Sequence, residues 1–390
     1  MRVAHLSLGD FRNYHTAELP LHSGANLIVG RNGQGKTNLV EAIAYFATLR
    51  SHRVSQDSAM IRAGASAAVM RMRVVSGDRE VLLETQLNRG AANRAQVNGN
   101  AVRSRELMRW FTSVTFAPED LMIVRGDPSV RRRFLDEALT TRFPVAAGAL
   151  ADYERVVRQR TSLLKSARGF SRKDNGIDAT LSIWDDQLVE HGVSIMLGRR
   201  EFVRDLTKPL GDAYTALVDN DHAPRVEFEE SVLSTLRNVS RETPNSGSSE
   251  SVSRETLSEQ FREALRIVRP KELERGVTLV GPHRDDLTLK LNRLPVKGYA
   301  SHGESWSFAL SLKIALANIL REESSAGDPV IILDDVFAEL DRGRRERLMG
   351  LIGDFEQVIV TAAVEEDVPE AVDWHRVEVH AGTLSGGGAQ

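Results

Sequence analysis

The first third of the chain alternates apolar and polar residues in short runs, a pattern typical of strands that are buried on one face. The alternation runs through residues 2–29 and again through 67–87. Asn98 and Gly99 stand between two further short runs, as in a tight hairpin. These runs predict an antiparallel sheet in this part of the chain.

From about residue 104 the apolar residues recur at helical spacing instead. A helix is predicted from Pro128, because proline fits the first turn of a helix, and long helices are predicted over 144–168, 178–218 and 257–268. Residues 237–256 break this pattern. They are mostly small and polar and contain the pentapeptide Val-Ser-Arg-Glu-Thr twice, so we expect a flexible loop.

After about residue 275 strand and helix patterns alternate again. Short apolar runs predict strands at 277–280, 287–291, 329–335 and 357–361. A helix is predicted from residue 306 to about 321. The last third of the chain therefore has the pattern of an α/β fold.

The two changes of pattern predict a fold in two parts. Residues 1–105 and 275–390 are expected to form one α/β lobe with a mixed sheet, and residues 106–274 an inserted α-helical lobe. The length of 390 residues and the hydrophobic content of 41% suit one large or two ordinary domains.

The segment from Gly30 to Thr37 reads G-x-x-x-x-G-K-T and stands between a short apolar run and a helical pattern. Strand, glycine loop and helix in this order are the setting of a phosphate-binding loop. Glycine lets the backbone approach an anion closely, and the helix N-terminus adds unpaired N–H groups. We expect Lys36 to reach the β- and γ-phosphates of ATP and Thr37 to place its hydroxyl on Mg²⁺.

Asp334 and Asp335 follow four apolar residues, which predicts a buried strand that ends in two carboxylates. Ligands bind at the carboxyl edge of such strands in α/β sheets. We expect Asp334 to hold Mg²⁺ together with Thr37, and Asp335 to orient the water that attacks the γ-phosphate. Lys36, Asp334 and Asp335 are therefore the predicted catalytic residues.

Two further segments resemble motifs of the ABC-type ATPases. Ser301 and Gly303 precede a helix as in the signature motif, and residues 339–341, Glu-Leu-Asp, follow the acidic strand as in the D-loop. In that class the signature serine and glycine of one subunit contact the γ-phosphate that the other subunit holds. The resemblance implies an ATP-dependent homodimer in which Ser301 and Gly303 complete the ATP site in trans.

Most of the chain, including the helical block, separates Thr37 from Ser301. Such an insertion resembles the ATPase heads of the SMC class, which act on DNA. Within that class the chain resembles the RecF family along nearly its whole length. The segments that carry this resemblance are 11–14, 29–43, 50–53, 118–121, 131–136, 281–287 and 333–341.

The resemblance implies a weak, DNA-stimulated ATPase that acts as a switch. Such a protein binds double-stranded DNA at single-strand gaps and works with RecR and RecO. It helps to load recombinase in gap repair, replication restart and SOS induction. The implied ATP site comprises Gly30, Arg31, Asn32, Gly33, Gln34, Gly35, Lys36, Thr37 and Asn38, with Ser301 and Gly303 in trans.

Four positions depart from the patterns of these classes. Glu304 stands where the signature has glutamine, and Trp306 where the family often has arginine. Asp335 replaces the glutamate of transporters, and its shorter side chain is consistent with slow hydrolysis. Thr361 follows a strand where transporters place a switch histidine, so we name no such histidine.

The charge is unevenly distributed along the chain, although the net charge is only −3. Residues 1–170 contain 25 Lys and Arg against 15 Asp and Glu, and the remainder contains 26 against 39. A nearly neutral protein can therefore present a basic face. Arg131, Arg132 and Arg133 form the densest basic run and are the candidate DNA contacts, which would be independent of sequence.

The chain has no cysteine, which rules out disulfides and thiolate metal sites. It has no apolar run of membrane-spanning length and no signal-peptide pattern near Met1. We therefore expect a cytoplasmic protein that does not bind membranes.

Two other functions share the phosphate-binding loop. A transporter ATPase subunit is disfavoured by the large insertion and the basic N-terminal half. A small-molecule kinase is disfavoured by the signature at Ser301 and the turn at Asp341. Association with membranes would favour the first alternative, and phosphoryl transfer to a metabolite would favour the second.

Overall fold

The computed structural model describes residues 1–167, 175–220, 222–239 and 253–385. The strands are β1 Arg2–Phe11, β2 Tyr14–Pro20, β3 Gly24–Val29, β4 Ala67–Ser76, β5 Arg79–Asn88, β6 Arg94–Val97, β7 Asn100–Val102, β8 Ser113–Phe116, β9 Arg225–Glu229, β10 Asp286–Leu291, β11 Leu294–Pro295, β12 Val330–Asp334, β13 Gln357–Ala362, β14 His375–His380 and β15 Thr383–Ser385. The α-helices are α1 Lys36–Thr48, α2 Leu121–Arg125, α3 Pro128–Arg142, α4 Ala146–Ala167, α5 Asn175–Val218, α6 Ser231–Val239, α7 Arg254–Arg275, α8 Val296–Tyr299, α9 His302–Glu323 and α10 Arg342–Ile352. Short 3₁₀ helices cover Asp57–Met60, Ser104–Arg109, Pro118–Asp120, Pro282–Arg284, Phe337–Glu339 and Glu365–Asp367.

The alternating runs at the start of the chain form the predicted antiparallel sheet. Its strand order is β2-β1-β4-β5-β6-β7, and each neighbouring pair is antiparallel. The hairpin between β6 and β7 turns at Asn98 and Gly99, both with positive φ (50° and 77°). A two-residue turn needs this left-handed backbone, which Asn and Gly adopt most readily.

A second six-stranded sheet has the order β15-β14-β3-β13-β12-β8. Strands β14, β3, β13, β12 and β8 are parallel, and β15 is antiparallel to β14. Strands β12 and β13 are buried along their whole length, as expected for parallel strands that are covered on both faces. The α/β character predicted for both ends of the chain is thus present in one mixed sheet.

The chain divides into two compact units. Unit 1 comprises Met1–Arg125, Leu206–Arg225 and Lys290–Gln390, and unit 2 comprises Gly126–Asp205 and Val226–Leu289. Both six-stranded sheets belong to unit 1, and one apolar core runs from strands of the first sheet through α1 to strands of the second. Unit 2 has its own apolar core, built from α4, α5, α6 and α7.

The predicted lobe boundaries, 105/106 and 274/275, differ from the boundaries of these units. Residues 106–125 belong to unit 1 because they contain β8, which pairs with β12 in the parallel sheet. Residues 275–289 belong to unit 2. The hydrophobic period of a segment identifies a helix or a strand, but it does not identify the core on which that segment packs.

A buried ion-pair cluster lies at the centre of unit 2. Arg160 is fully buried and donates to both carboxylate oxygens of Glu272 (3.1 and 2.6 Å) and to Asp185 (2.8 Å). It also donates to the Thr278 hydroxyl at 3.0 Å. A buried guanidinium requires such complete pairing, because an uncompensated charge in the interior is strongly destabilising.

Residues 277–280 are not a strand, and the prediction of one there is wrong. Side chains satisfy this backbone instead of a neighbouring strand. The Leu279 N–H donates to Glu272 (2.9 Å), and the Thr278 carbonyl accepts from Arg284 (3.1 and 2.9 Å). The apolar residue Val280 is buried in the core of unit 2, so the apolar run reflects burial without strand pairing.

Of the predicted 237–256 loop, residues 240–252 lie outside the described residues. Residues 237–239 are the last residues of α6, and Arg254 is the first residue of α7.

Among the helices of the described residues, none combines the length and the apolar character that a membrane crossing requires.

Candidate functional site

The glycine-rich segment connects β3 to α1 at the carboxyl edge of the parallel sheet, as the sequence predicts. Gly33 and Gly35 have positive φ (81° and 115°), and Gly35 is the N-cap of α1. A side chain at Gly30 would collide with the backbone oxygen of Val379 on β14. Glycine is therefore required at Gly30 for space and at the other two positions for backbone conformation.

Residues that follow β1 support this loop from outside the motif. The side chain of Asn13 donates to the Gln34 carbonyl (3.1 Å) and accepts from Asn38 (2.7 Å). The Tyr14 hydroxyl lies directly beside Gly35, where a Cβ atom would be only 2.7 Å away. The segment at 11–14, which carried part of the RecF resemblance, thus holds the loop in place.

Lys36 is the first residue of α1, and its side chain is only 3% exposed. Its Nζ atom lies 3.4 Å from Asn32 Oδ1 and 4.0 Å from Asp335 Oδ1. The ammonium group therefore stands between the glycine loop and the acidic end of β12. An anion bound by the loop would meet this charge.

Asp334 lies at the end of β12 and is the centre of the polar contacts at this edge. Its Oδ1 atom accepts from the Thr37 hydroxyl (3.0 Å) and from the Thr361 hydroxyl (2.7 Å). Its Oδ2 atom lies 3.9 Å from Nε2 of His52. Burial raises the pKa of Asp334, the charge of Asp335 raises it further, and the two hydroxyl donors oppose these effects.

Asp335 has a left-handed backbone conformation, with φ of 52°. Its N–H donates to the Thr361 hydroxyl (2.9 Å), so Thr361 joins both carboxylate residues. Burial raises the pKa of Asp335 and the charge of Lys36 lowers it. Non-glycine residues in this conformation are uncommon and are enriched at functional sites.

Ser301 and Gly303 lie at the N-terminus of α9, where the sequence places the signature. Ser301 is the N-cap: its hydroxyl accepts from the Glu304 N–H (3.2 Å), and its N–H donates to the Glu304 carboxylate (2.8 Å). Glu304 is thus the third residue of a capping box. The hydrogen bonds of Ser301 among the described residues go to α9 itself, to Glu304 and Ser305, and not to the glycine loop.

Glu304 and Trp306, the two departures from the signature pattern, both have structural roles. Hydrogen bonds from Ser301 hold the pKa of Glu304 below its usual value, so the carboxylate stays ionised at the helix N-terminus. Trp306 is buried, at 2% exposure. Beside Gly303 lies the guanidinium of Arg344 from α10, where a Cβ atom would be 2.8 Å from one nitrogen.

The three arginines predicted as DNA contacts have different environments. Arg131 is 7% exposed, pairs with both carboxylate oxygens of Asp286 (2.7 and 2.9 Å) and donates to the Gly126 carbonyl. Arg132 is half-buried and donates to a backbone carbonyl at 2.8 Å. Arg133 is the exposed member of the three. Only Arg133 of the basic run is exposed, because α3 buries Arg131 and partly buries Arg132.

Known proteins resemble this chain along nearly its whole length. A family model described as the RecF/RecN/SMC N terminal domain matches residues 2–385. The DNA replication and repair protein RecF of Leifsonia xyli subsp. xyli is 54% identical over 384 residues, covering 98% of this chain and 99% of that protein. This chain belongs to the RecF family. The RecF protein of Streptomyces avermitilis is 47% identical over 389 residues, covering 98% and 99% of the two chains.

Solved structures agree with this assignment. The chain resembles the recombination mediator protein RecF described as RecF-ATPrS in the RecFOR pathway, with a TM-score of 0.85, 28% identity and coverage of 99% and 98%. An Smc head domain from Pyrococcus furiosus matches with a TM-score of 0.52 at 15% identity, covering 98% and 94%, a likeness of fold alone. The predicted fold class, an ABC/SMC-like head with an inserted helical lobe, is confirmed.

In this RecF-family site, sequence reasoning missed two residues that contact or approach Asp334. The sequence indicates Thr361 only as the replacement of a histidine, yet it pairs in register with Asp334 between β12 and β13. His52 lies in the 50–53 segment of the family resemblance, to which the sequence assigns no role of its own. Parallel register could have identified Thr361, since residues that end neighbouring parallel strands lie side by side. No comparable pattern identifies His52, which arrives from a loop.

We expect Arg131→Ala to lower the free energy of unfolding by about 3 kcal/mol, because it leaves the Asp286 carboxylate without its guanidinium partner. Arg133→Ala on the same helix is the matched control and should leave stability unchanged. Urea unfolding followed by circular dichroism measures both. Equal stability of the two variants would mean that the Arg131 ion pair does not stabilise the fold.

Proposed function

We propose that this chain is an ATP-gated DNA-binding protein of recombinational gap repair, a switch with slow ATPase activity. The observation that carries the proposal is the convergence of Lys36, Thr37, Asp334 and Asp335 at one edge of the parallel sheet. A glycine loop with a lysine, a hydroxyl and two acids is the chemistry required to bind and hydrolyse a nucleoside triphosphate.

The glycine loop from Gly30 to Asn38 would hold the phosphates through its backbone N–H groups and the N-terminus of α1. Beside it lies a cavity of about 550 Å³, within the range of small-molecule sites. Its polar lining includes Arg12, Asn13, Asn38, Arg53 and Arg89. We propose that this cavity receives the nucleoside part of ATP, because its guanidinium and amide groups can hydrogen-bond a ribose and a base.

The Thr37 hydroxyl and the Asp334 carboxylate fit a magnesium ion, since both are hard oxygen donors that already lie 3.0 Å apart. Among the described residues no cluster of three His, Asp or Glu side chains could bind a metal alone. The protein would therefore supply two oxygens and leave the rest to phosphate and water, as is usual for Mg²⁺. When bound, the ion would neutralise charge on the β- and γ-phosphates.

Asp335 would orient the attacking water; this role is supported by its side chain, which is one-third exposed and adjoins Lys36. Thr361 fixes the backbone of Asp335 and the side chain of Asp334 with one hydroxyl. Lys36 would bind the transferred phosphate. Different residues would thus bind the nucleotide and promote its hydrolysis. The protein could therefore stay bound to ATP while hydrolysing it slowly.

We expect Lys36→Ala to abolish ATP binding, because it removes the buried cation beside the loop. Asp335→Asn should retain ATP binding but slow hydrolysis by roughly a hundredfold or more, as expected when a general base is lost. Isothermal titration calorimetry measures binding, and phosphate release measures hydrolysis. Unchanged ATP binding by Lys36→Ala would contradict the proposed ATP site at the glycine loop.

We further propose that two copies of the chain close on ATP, with Ser301 and Gly303 of one copy contacting the γ-phosphate held by the other. Ser301 is exposed at the N-terminus of a 22-residue helix, where backbone N–H groups attract anions. The Glu304 carboxylate is turned back onto the Ser301 N–H. This capping bond holds the carboxylate against the start of α9.

ATP with Mg²⁺ should double the mass of the protein in solution, as measured by light scattering. Ser301→Arg should prevent this doubling while leaving ATP binding intact, because a bulky side chain would block the approach of the second copy. His302→Ala is the neighbouring control and should still dimerise. A wild-type protein that binds ATP and remains a monomer would refute the composite site.

Relatives named DNA replication and repair protein RecF, and a structure placed in the RecFOR pathway, support DNA, RecR and RecO as partners. We propose that the chain binds duplex DNA next to single-strand gaps in the cytoplasm and assists replication restart and SOS induction. Membership of the RecF family favours this role over a transporter subunit or a metabolite kinase.

Arg133→Glu should weaken binding to gapped duplex DNA and reduce the slope of log affinity against log salt by about one, because one phosphate contact is lost. Fluorescence anisotropy over a salt series measures both quantities. Glu137→Gln on the same helix is the control that changes charge by one unit in the positive direction, and it should not weaken binding. An unchanged slope for Arg133→Glu would remove this residue from the DNA surface.

A further inference from the structure

The loop that follows α1 brings His52 to the acidic end of β12. Nε2 of His52 lies 3.9 Å from Oδ2 of Asp334. Nε2 is buried and has no hydrogen-bond partner among the described residues. A buried ring nitrogen without a partner is costly unless a ligand or water completes its hydrogen bonding.

Hydrogen bonds on both sides of His52 hold this loop against α1. The Ser51 hydroxyl donates to the Glu41 carboxylate and accepts from the N–H groups of Arg53 (3.0 Å) and Val54 (3.1 Å). The Arg53 guanidinium donates to Asn38 at 2.8 Å. The position of His52 is therefore set by its neighbours and does not depend on its own contacts.

Glu41 is the anchor of this arrangement. It is fully buried on α1, accepts the Ser51 hydroxyl and pairs with both Arg12 (2.8 and 2.5 Å) and Arg53 (3.5 Å). A carboxylate with these partners is compensated in the interior. The loop is thus attached to the same helix whose N-terminus forms the glycine loop.

The two oxygens of Asp334 have different surroundings. Oδ1 accepts from Thr37 and Thr361, whereas Oδ2 faces His52. The gap of 3.9 Å is too long for a direct hydrogen bond. A water oxygen about 2.8 Å from both atoms would close it by accepting from Nε2–H and donating to Oδ2, whereas a phosphate oxygen would accept from Nε2–H only. His52 and Asp334 therefore leave room between their side chains for an oxygen atom of a ligand or water.

We propose that His52 is a positioning residue for the metal–triphosphate group, with Nε2–H donating to an oxygen that lies beside Asp334. That oxygen is either a γ-phosphate oxygen or a water bound to Mg²⁺. The inference rests on the proposed function and extends it, because it assigns a third side chain to the end of the site where hydrolysis occurs. His52 is not a metal ligand in this proposal.

Calorimetric titration of the full chain with ATP and with ADP, each in Mg²⁺ and in EDTA, tests the proposal. His52→Ala should weaken ATP binding in Mg²⁺ roughly 10- to 100-fold, the effect expected for a hydrogen bond to a charged group. In EDTA the loss of ATP affinity should persist if Nε2–H donates to a γ-phosphate oxygen, and it should disappear if Nε2–H donates to a metal-bound water. His52→Gln, whose amide nitrogen can occupy the place of Nε2, should recover most of the affinity.

The ADP titrations distinguish the two sources of the oxygen. Weaker binding of ATP with unchanged binding of ADP in Mg²⁺ would identify a γ-phosphate oxygen. Weaker binding of both nucleotides in Mg²⁺ would identify a metal-bound water. His5→Ala is the matched control, since His5 pairs with Glu18 on the antiparallel sheet, and it should bind both nucleotides as the wild type does.

Unchanged binding by a folded His52→Ala, or an equal loss for ATP and ADP in both Mg²⁺ and EDTA, would overturn the proposal. If the alanine variant does not fold, His52→Leu removes the donor, keeps the volume and decides the question by the same titrations. Failure of the wild type itself to bind ATP would instead refute the proposed function, and this inference with it.

Discussion

The parallel pairing of β3, β13 and β12 is the constraint on which the rest of the site depends. Because these strands run in the same direction, Val29, Thr361 and Asp334 all lie at one edge of the sheet, where the strands end. The glycine loop leaves this edge from β3, and the two acids leave it from β12. Residues almost 300 positions apart are thereby brought within hydrogen-bonding distance.

The carboxylate of Asp334 is buried at this edge, and a buried negative charge needs nearby hydrogen-bond donors. The burial raises the pKa of the carboxyl group, so its charged form needs donors close by. Thr37 and Thr361 supply two of these donors. Thr37 lies on α1, which follows the glycine loop, and Thr361 lies on the neighbouring strand β13. The same hydroxyl of Thr361 fixes the left-handed backbone at Asp335. The acidic pair is thus oriented by hydrogen bonds within the protein.

Arginines in unit 2 illustrate a different use of charge. Arg131, Arg160 and Arg199 are buried and paired with carboxylates that come from distant parts of unit 2. Arg160 joins α4 to α7 and Arg199 joins α5 to α3, whereas Arg131 joins α3 to the start of β10. A basic run in a sequence is therefore a poor guide to a polyanion surface, because planar guanidinium groups are also well suited to internal bidentate pairs.

The sequence by itself determined the local features: the glycine loop, the helix and strand types, the Asn-Gly hairpin, the order of the motifs and, through them, the family. These features depend on backbone conformation and on short-range periodicity, which neighbouring residues encode. Only the tertiary structure decided that residues 277–280 are buried without strand pairing and that Arg131 is internal while Arg133 is exposed. It also decided that Thr361 and His52 stand beside Asp334. Those outcomes depend on which distant segments share a core or a sheet edge, and no local pattern of residue types records that choice.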